Sequence, residues 1–425
     1  MKSEAKKMKI RISILLIGLL VAGCSKNENL LYFAVGGAPN ELDYWEDLIK
    51  KFEKETNIKV SLLRQPTDSD QRRQSLVISL KSKKSDPDVF LMDIAWISQF
   101  RDSNWLEPME DYIKDSNLDT KFFFSSVIEQ TEKLVSLPVY IDCGLLYYRK
   151  DLLEKYNLKV PETWYELLES SKIILENENK KHFYGFVWQG AQYEGLVCNF
   201  LEFITSNNGE IFNQKGQPVV NSEENAKALE FMKDIIQKYK ISPMNTFTEM
   251  REEEVRSFFE SGGALFERNW PYAYKIHEKE SSPVKGKVGI AVLPKFKNGK
   301  HAATLGGWHI GMSEYSDNKV NAWKLIEYIL SYEIQKDVVI NLGWNPGRKD
   351  IYNDPEVIEK IPQMKVLKKA FEFSIARPDL PFYNQISEIL QRNVNSCLSG
   401  KTDPEEALEN AQKDIKRILK QYNVN

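Results

Sequence analysis

The strongest constraint on the fold is an alternation of short, uninterrupted apolar runs with stretches whose apolar residues recur at helical spacing. "LLYFAVGG" reads as a buried strand, and "NELDYWEDLIKKFEKE" sets Leu42, Trp45, Leu48, Ile49 and Phe52 along one helical face. "IKVSLL" is the next strand and "QRRQSLVISL" the next helix, followed by "DPDVFLMD", whose continuous apolar run suits a parallel strand covered on both faces. This is β-α-β, and it predicts an α/β fold.

The pattern recurs further on. "PETWYELLESSKII" opens with Thr163 three residues before Glu166, a capping box, and "YEGLVCNFLEFITSNNG" is an apolar helix stopped by Asn-Asn-Gly. A helix between Glu252 and Phe259 hands over at Gly262-Gly263 to the strand "ALFERN". "KVGIAVLPKF" reads as a strand, and "NKVNAWKLIEYIL" as a helix amphipathic through Val320, Trp323, Ile326 and Ile329. The last helix starts at Asp403-Pro404, an N-cap with proline in the first turn. At 425 residues the chain is too long for one compact domain, so two lobes are expected.

In open α/β sheets the ligand crevice lies beyond the carboxyl ends of the strands. Asp93 follows "VFLM", Asp142 follows "LPVYI", Trp270 follows "ALFERN", and Trp308 sits in the Gly-rich "TLGGWHIGM". A sugar ring offers a C–H face, which takes a flat apolar partner, and a hydroxyl rim, which takes charged acceptors and forked donors. Glu41, Arg73, Asp93, Asp142 and Arg377 are the rim candidates, and Tyr140, Trp270, Tyr272 and Trp308 the face candidates. Each also has a plainer reading, since a tryptophan beyond a strand commonly packs and an aspartate there commonly caps a turn. The two glycines before Trp308 favour the ligand reading there, because they let a guest approach the backbone.

Other chemistries find little support. His301 and His309 are eight residues apart across a Gly-rich stretch without a third ligand, so no metal site is expected. There is no G-x-S-x-G, no phosphate-binding G-x-x-x-x-G-K-[ST], and no histidine partner recognisable for Cys143. Cys143, Cys198 and Cys397 are widely spaced without a C-x-x-C, which argues against a disulfide framework or zinc knuckle.

The N-terminus reads as an export signal: basic residues from Lys2 to Arg11, an apolar run from Ile12 to Ala22 too short for a permanent span, then Gly23-Cys24. "LVAGC" resembles a bacterial lipobox, which implies removal of residues 1–23 and lipid attachment at Cys24, with 24–27 as the start of a tether. Removal takes five basic residues and one acidic, moving the net charge from −3 to −7. Such a mildly acidic chain is not expected to bind nucleic acid.

Ten segments, among them "YFAVGGAPNELDYW", "DPDVFLMDIAWISQF", "LPVYIDCGLLYYRKDLLEKY", "FERNWPYAY", "TLGGWHIGMSEYSDNK", "NLGWNPGR" and "ARPDLPFY", run in the order seen in trehalose/maltose-binding proteins. The chain thus resembles the family 1 extracellular solute-binding proteins of ABC sugar importers over essentially its whole mature length. The resemblance implies a two-lobed, type II periplasmic-binding-protein-like fold with discontinuous lobes joined by three hinge segments. One lobe would take 28–138 plus 288–331 and the other 139–287 plus 332–425, with hinges at "LPV", "GIAVL" and near Ser331. It implies an α-linked disaccharide as ligand, bound by Glu41, Arg73, Asp93, Tyr140, Asp142, Trp270, Tyr272, Gly307, Trp308 and Arg377, with Arg73 chosen over Arg72 within "QRRQ". It implies no cofactor, no catalysis, and a monomer anchored outside the cell membrane, or in the periplasm, that delivers sugar to permease subunits. Cys143 departs from the small residue usual beside Asp142. Aromatics with carboxylates also occur in secreted glycoside hydrolases, where Asp93, Asp142 or Glu267 could act as an acid/base pair, and a surface protein gripping a partner through exposed aromatics is a further alternative.

Overall fold

A computed structural model describes residues 30–124, 133–361 and 364–424. The export signal and Cys24 lie outside the described residues. The first sheet begins with β1 (Leu30–Gly36), β2 (Lys59–Gln65) and β3 (Val89–Asp93), all parallel with β1 in the middle. The helices Pro39–Thr56 and Ser69–Lys81 make the crossovers. The predicted apolar face of the first helix is the buried one: Trp45, Leu48, Ile49 and Phe52 pack on β1 together with Phe33. β3 is buried at all five positions, as its unbroken apolar run requires.

β4 (Leu137–Cys143) and β5 (Leu145–Arg149) are separated only by Gly144 and belong to different sheets. β5 joins β6 (Tyr184–Val187), β7 (Ala264–Asn269) and β8 (Val288–Ala291) in the order β6-β7-β5-β8. The long β9 (Ala303–Met312) runs antiparallel to β4 along Leu305–Ile310, to β3 along Trp308–Met312, and beside the two-residue β10 (Ser374–Ile375) at its start. Each sheet has its own core. Phe33, Trp45, Phe52 and Ile310 centre one, and Trp164, Phe186, Phe203 and Phe231 the other. The molecule is therefore two-lobed, with β4 and β9 running between the lobes.

One expected boundary moves. β8 pairs with β5, and Val288, Leu293 and Phe296 pack in the second core, so the crossing expected at "GIAVL" falls later, within β9. The helix Tyr332–Leu342 is shared between the lobes: Val338 and Leu342 join the first core and Tyr44 Oη donates to Asp337 at 2.8 Å, while Val339 joins the second core and Lys336 Nζ lies 3.0 Å from Asp354 Oδ2. Beyond that helix, Asn345 O accepts from Ile141 N in β4 at 2.9 Å. Val320, placed on the apolar face by its spacing, is 66% exposed at the start of the helix Lys319–Ile329. The capping box at Thr163/Glu166 and the Asp403 N-cap form as the sequence predicts.

Candidate functional site

Sheet register alone collects much of the site. Trp308 lies opposite Asp93 on one side and Tyr140 on the other, and Gly306 lies opposite Asp142. Directly opposed residues of antiparallel strands project to the same face with Cβ atoms about 5 Å apart. An acid, an indole and a phenol thus form one row across β3, β9 and β4. Gly307, between them, has φ +136°, and a Cβ there would sit 2.6 Å from Tyr140 O. Only glycine lets β4 and β9 approach so closely at this point.

Glu41 enters from the first turn of the helix Pro39–Thr56. Its Oε2 accepts from Ala38 N at 2.8 Å, and its Oε1 from Trp344 Nε1 at 3.1 Å. A Cβ on Gly37 would lie 1.9 Å from that same Oε2, so the close turn is what admits the carboxylate. Trp344 in turn stacks on Tyr140 at 4.1 Å between centroids. From the second lobe, Trp270 follows β7, its N held by Asn269 Oδ1 at 2.8 Å. Tyr272 donates to Glu253 at 2.6 Å. These side chains line a single cavity of about 820 Å³, its open mouth included, between the lobes. Nine of the ten predicted residues border it: Glu41, Asp93, Tyr140, Asp142, Trp270, Tyr272, Gly307, Trp308 and Arg377.

Arg73 does not, and the choice within "QRRQ" is corrected. Adjacent helical residues project about 100° apart, and it is Arg72 that turns inward. Its guanidinium carbon lies 3.6 Å from the Trp308 ring centroid and its Nη2 donates to Gly36 O at 2.9 Å. Arg73 faces a neighbouring crevice, near Gln99 at 3.3 Å and Glu388 at 3.8 Å. The sequence reading also leaves out Glu194, Glu252, Glu253 and Trp344, all at the cavity. Trp344 carries a signal that could have found it, a preceding glycine as at Trp308.

The lobes are latched around the cavity. Arg377 Nη2 binds Asp93 Oδ1 at 2.6 Å, and its Nη1 binds Glu194 Oε1 at 3.0 Å. Arg251 pairs with Asp68 and Ser98 with Asp379, while Gln391 Nε2 donates to Asp70 at 3.3 Å. Asp142 takes no part in this pairing. It is 9% exposed, and its Oδ1 is buried with no hydrogen-bond partner from the protein. Burial, reinforced by the Glu41 and Asp93 charges, pushes its pKa up to about 8. Burial likewise raises Glu41 to about 7 against the stabilising Ala38 N–H. A buried acceptor left open beside aromatic plates is suited to a guest that supplies a hydroxyl.

The histidines stay out of this chemistry. His309 is buried, 3.0 Å from Ser136 Oγ, and burial pushes its pKa down to about 3; His301 lies 2.7 Å from Leu293 O. Among the described residues no group of three potential ligands is arranged for a metal, and Cys143, Cys198 and Cys397 are free and buried. No described helix is long and apolar enough to cross a membrane.

Residues 38–336 match the family model of the bacterial extracellular solute-binding protein. A probable ABC transporter-binding protein of Deinococcus radiodurans is 33% identical over 415 residues, covering 95% of this chain and 97% of the relative. Among solved structures, maltose-bound MalE3 of T. maritima is 38% identical with a TM-score of 0.88, covering 92% of this chain and 100% of that one. A solute-binding protein of an ABC transporter from Thermotoga lettingae, bound with alpha-D-tagatose, is 30% identical with a TM-score of 0.84 over 92% of this chain. A cleft between two lobes, a family match across most of the chain and relatives alike along nearly its whole length lead to one conclusion: the chain belongs to the bacterial extracellular solute-binding proteins.

Proposed function

We propose that this protein is the sugar-capturing component of an ABC importer, closing its two lobes on a neutral α-linked disaccharide of the trehalose/maltose type. The observation that carries the reading is the open Oδ1 of Asp142 in a cavity flanked by Trp270 and Trp308 from different lobes. The indoles offer plates to the C–H faces of two rings, and Asp142, Glu41, Asp93, Arg72 and Arg377 offer acceptors and donors to their hydroxyls. The maltose held by the T. maritima relative supports the same class of guest. Charge-assisted hydrogen bonds contribute about 1.5–3 kcal/mol each. A few of these with stacking reach micromolar affinity, about −8 kcal/mol.

In this reading the lobes turn about β4, β9 and the segment after Trp344, and the Arg377 bridge to Asp93 forms as they meet. Lipid on Cys24 holds the monomer at the outer face of the membrane, and the closed form is what the permease subunits receive. No step requires bond breaking in the sugar. The test is titration calorimetry with maltose, trehalose, sucrose, tagatose and arabinose. The reading expects saturable 1:1 binding, tightest for an α-linked diglucoside. Tighter binding of a monosaccharide, or glucose released from maltose in proportion to protein, would overturn it.

A further inference from the structure

Behind the second-lobe half of the cavity lies a buried ion pair. Arg268 and Glu202 have side chains 1% exposed and meet through two contacts, Nε to Oε2 at 2.9 Å and Nη2 to Oε1 at 2.5 Å. Neither residue borders the cavity. Yet the Arg268 guanidinium carbon lies 4.1 Å from the centroid of the Trp270 ring, which does. Planar guanidinium over indole is a favourable contact that also fixes the plane of the ring.

The pair is also bonded to one of the strands that run between the lobes and lies against the end of the other. Glu202 Oε1 accepts from Thr304 N of β9 at 3.1 Å, and Thr304 Oγ1 donates to Cys198 O one turn earlier on the Glu202 helix at 2.8 Å. At the junction of β4 and β5, a Cβ on Gly144 would lie 2.1 Å from Glu202 Oε1 and 2.7 Å from Arg268 Nη2. Two residues beyond Thr304, a Cβ on Gly306 would meet the Trp270 ring at 3.0 Å. Together with the bond from Trp270 Nε1 to Glu252 Oε1 at 3.4 Å, the guanidinium contact sets the indole and seats it against the crossing strands.

We infer that Arg268 and Glu202 are positioning residues for ligand binding: the pair holds the Trp270 plate at the angle that meets the sugar and ties that angle to the crossing strands. The inference rests on the reading of Trp270 as a sugar plate. Removing one partner would leave an uncompensated buried charge, whereas replacing both by apolar side chains of similar volume is often neutral for stability. The test is therefore the double variant Glu202→Leu/Arg268→Met, with Arg268→Lys, which keeps the charge but not the flat fork, as the second.

With 5-fluorotryptophan incorporated, Trp270→Phe identifies the Trp270 resonance by its disappearance. Without any sugar, both variants are expected to shift or broaden that resonance more than those of Trp164 and Trp323. Maltose and trehalose affinities are expected to fall at least tenfold, with no further loss when the double change is made in a Trp270→Ala chain. An unmoved Trp270 resonance overturns the inference whether or not any sugar binds. An affinity loss fully additive to that of Trp270→Ala overturns it as well. Wild-type chain that binds neither sugar sinks the disaccharide reading instead, and the resonance then decides the pair's role alone. Should the double variant fail to fold, Arg268→Lys carries the same two measurements.

Discussion

Replacing Asp142 with asparagine separates the cost of an empty cleft from its purpose. The carboxyl is buried with Oδ1 unpaired, and its pKa stands near 8 against an ordinary 3.8. A carboxyl raised on folding contributes fully below its unfolded pKa and loses that contribution as pH rises toward the folded value. The empty closed protein is thus penalised progressively between about pH 4 and pH 8, by roughly 4 kcal/mol at pH 7 at about 1.4 kcal/mol per pKa unit. Asparagine has the same shape and no charge. An unpaired buried amide still costs about 1–3 kcal/mol, so the net gain near neutrality is a few kcal/mol at most.

The melting temperature of Asp142→Asn relative to wild type is therefore expected to climb from pH 4 to pH 8 in the absence of sugar. Binding moves the other way. Loss of a hydrogen bond to this largely neutral carboxyl, worth about 0.5–1.5 kcal/mol, weakens maltose or trehalose by roughly 2- to 13-fold. Differential scanning fluorimetry over pH, with calorimetry at pH 7.5, reads both. A melting difference that is flat or falls with pH, together with unchanged affinity, would refute the reasoning.

The neighbouring arginines give a sharper contrast. Arg72→Ala, losing the guanidinium over Trp308, is expected to weaken disaccharide binding at least tenfold, whereas Arg73→Ala should change it less than threefold. Equal losses in calorimetry would contradict the placement of Arg72. Arg377→Ala breaks the bridge that joins Asp93 and Glu194 and leaves two buried carboxylates uncompensated, a change that costs about 3–5 kcal/mol where such pairs are broken. Small-angle scattering should find this variant open at sugar concentrations that close the wild type, and equal radii of gyration would argue against the latch.

Much of this was legible in the sequence because the signals are local. The unbroken run before Asp93 and the helical spacing from Leu42 to Phe52 specify their elements without reference to the rest of the chain. The candidates at strand ends can be placed at the cavity from sequence because a strand end in an α/β lobe faces the crevice. What stayed hidden depends on register or on distant packing. Whether Arg72 or Arg73 turns inward is a 100° rotation on a helix of weak amphipathicity, fixed only by Gly36 and Trp308. The helix Tyr332–Leu342 reaches the first core through Val338, Leu342 and an Asp337 contact to Tyr44, nearly 300 residues earlier, while Val339 enters the second core, a division no periodicity announces. Glu252 and Glu253 look like ordinary acidic residues in a first helical turn, and only the fold brings them to Trp270 and Tyr272.

The central claim is that plates and acceptors from both lobes converge on one sugar. A crystal structure of the protein grown with the tightest-binding disaccharide tests it most directly. The account predicts sugar rings against Trp270 and Trp308, with a hydroxyl at ordinary hydrogen-bond distance, about 2.5–3.0 Å, from Asp142 Oδ1. A sugar seated elsewhere, or one in the cleft that leaves Asp142 Oδ1 without a partner, would contradict it.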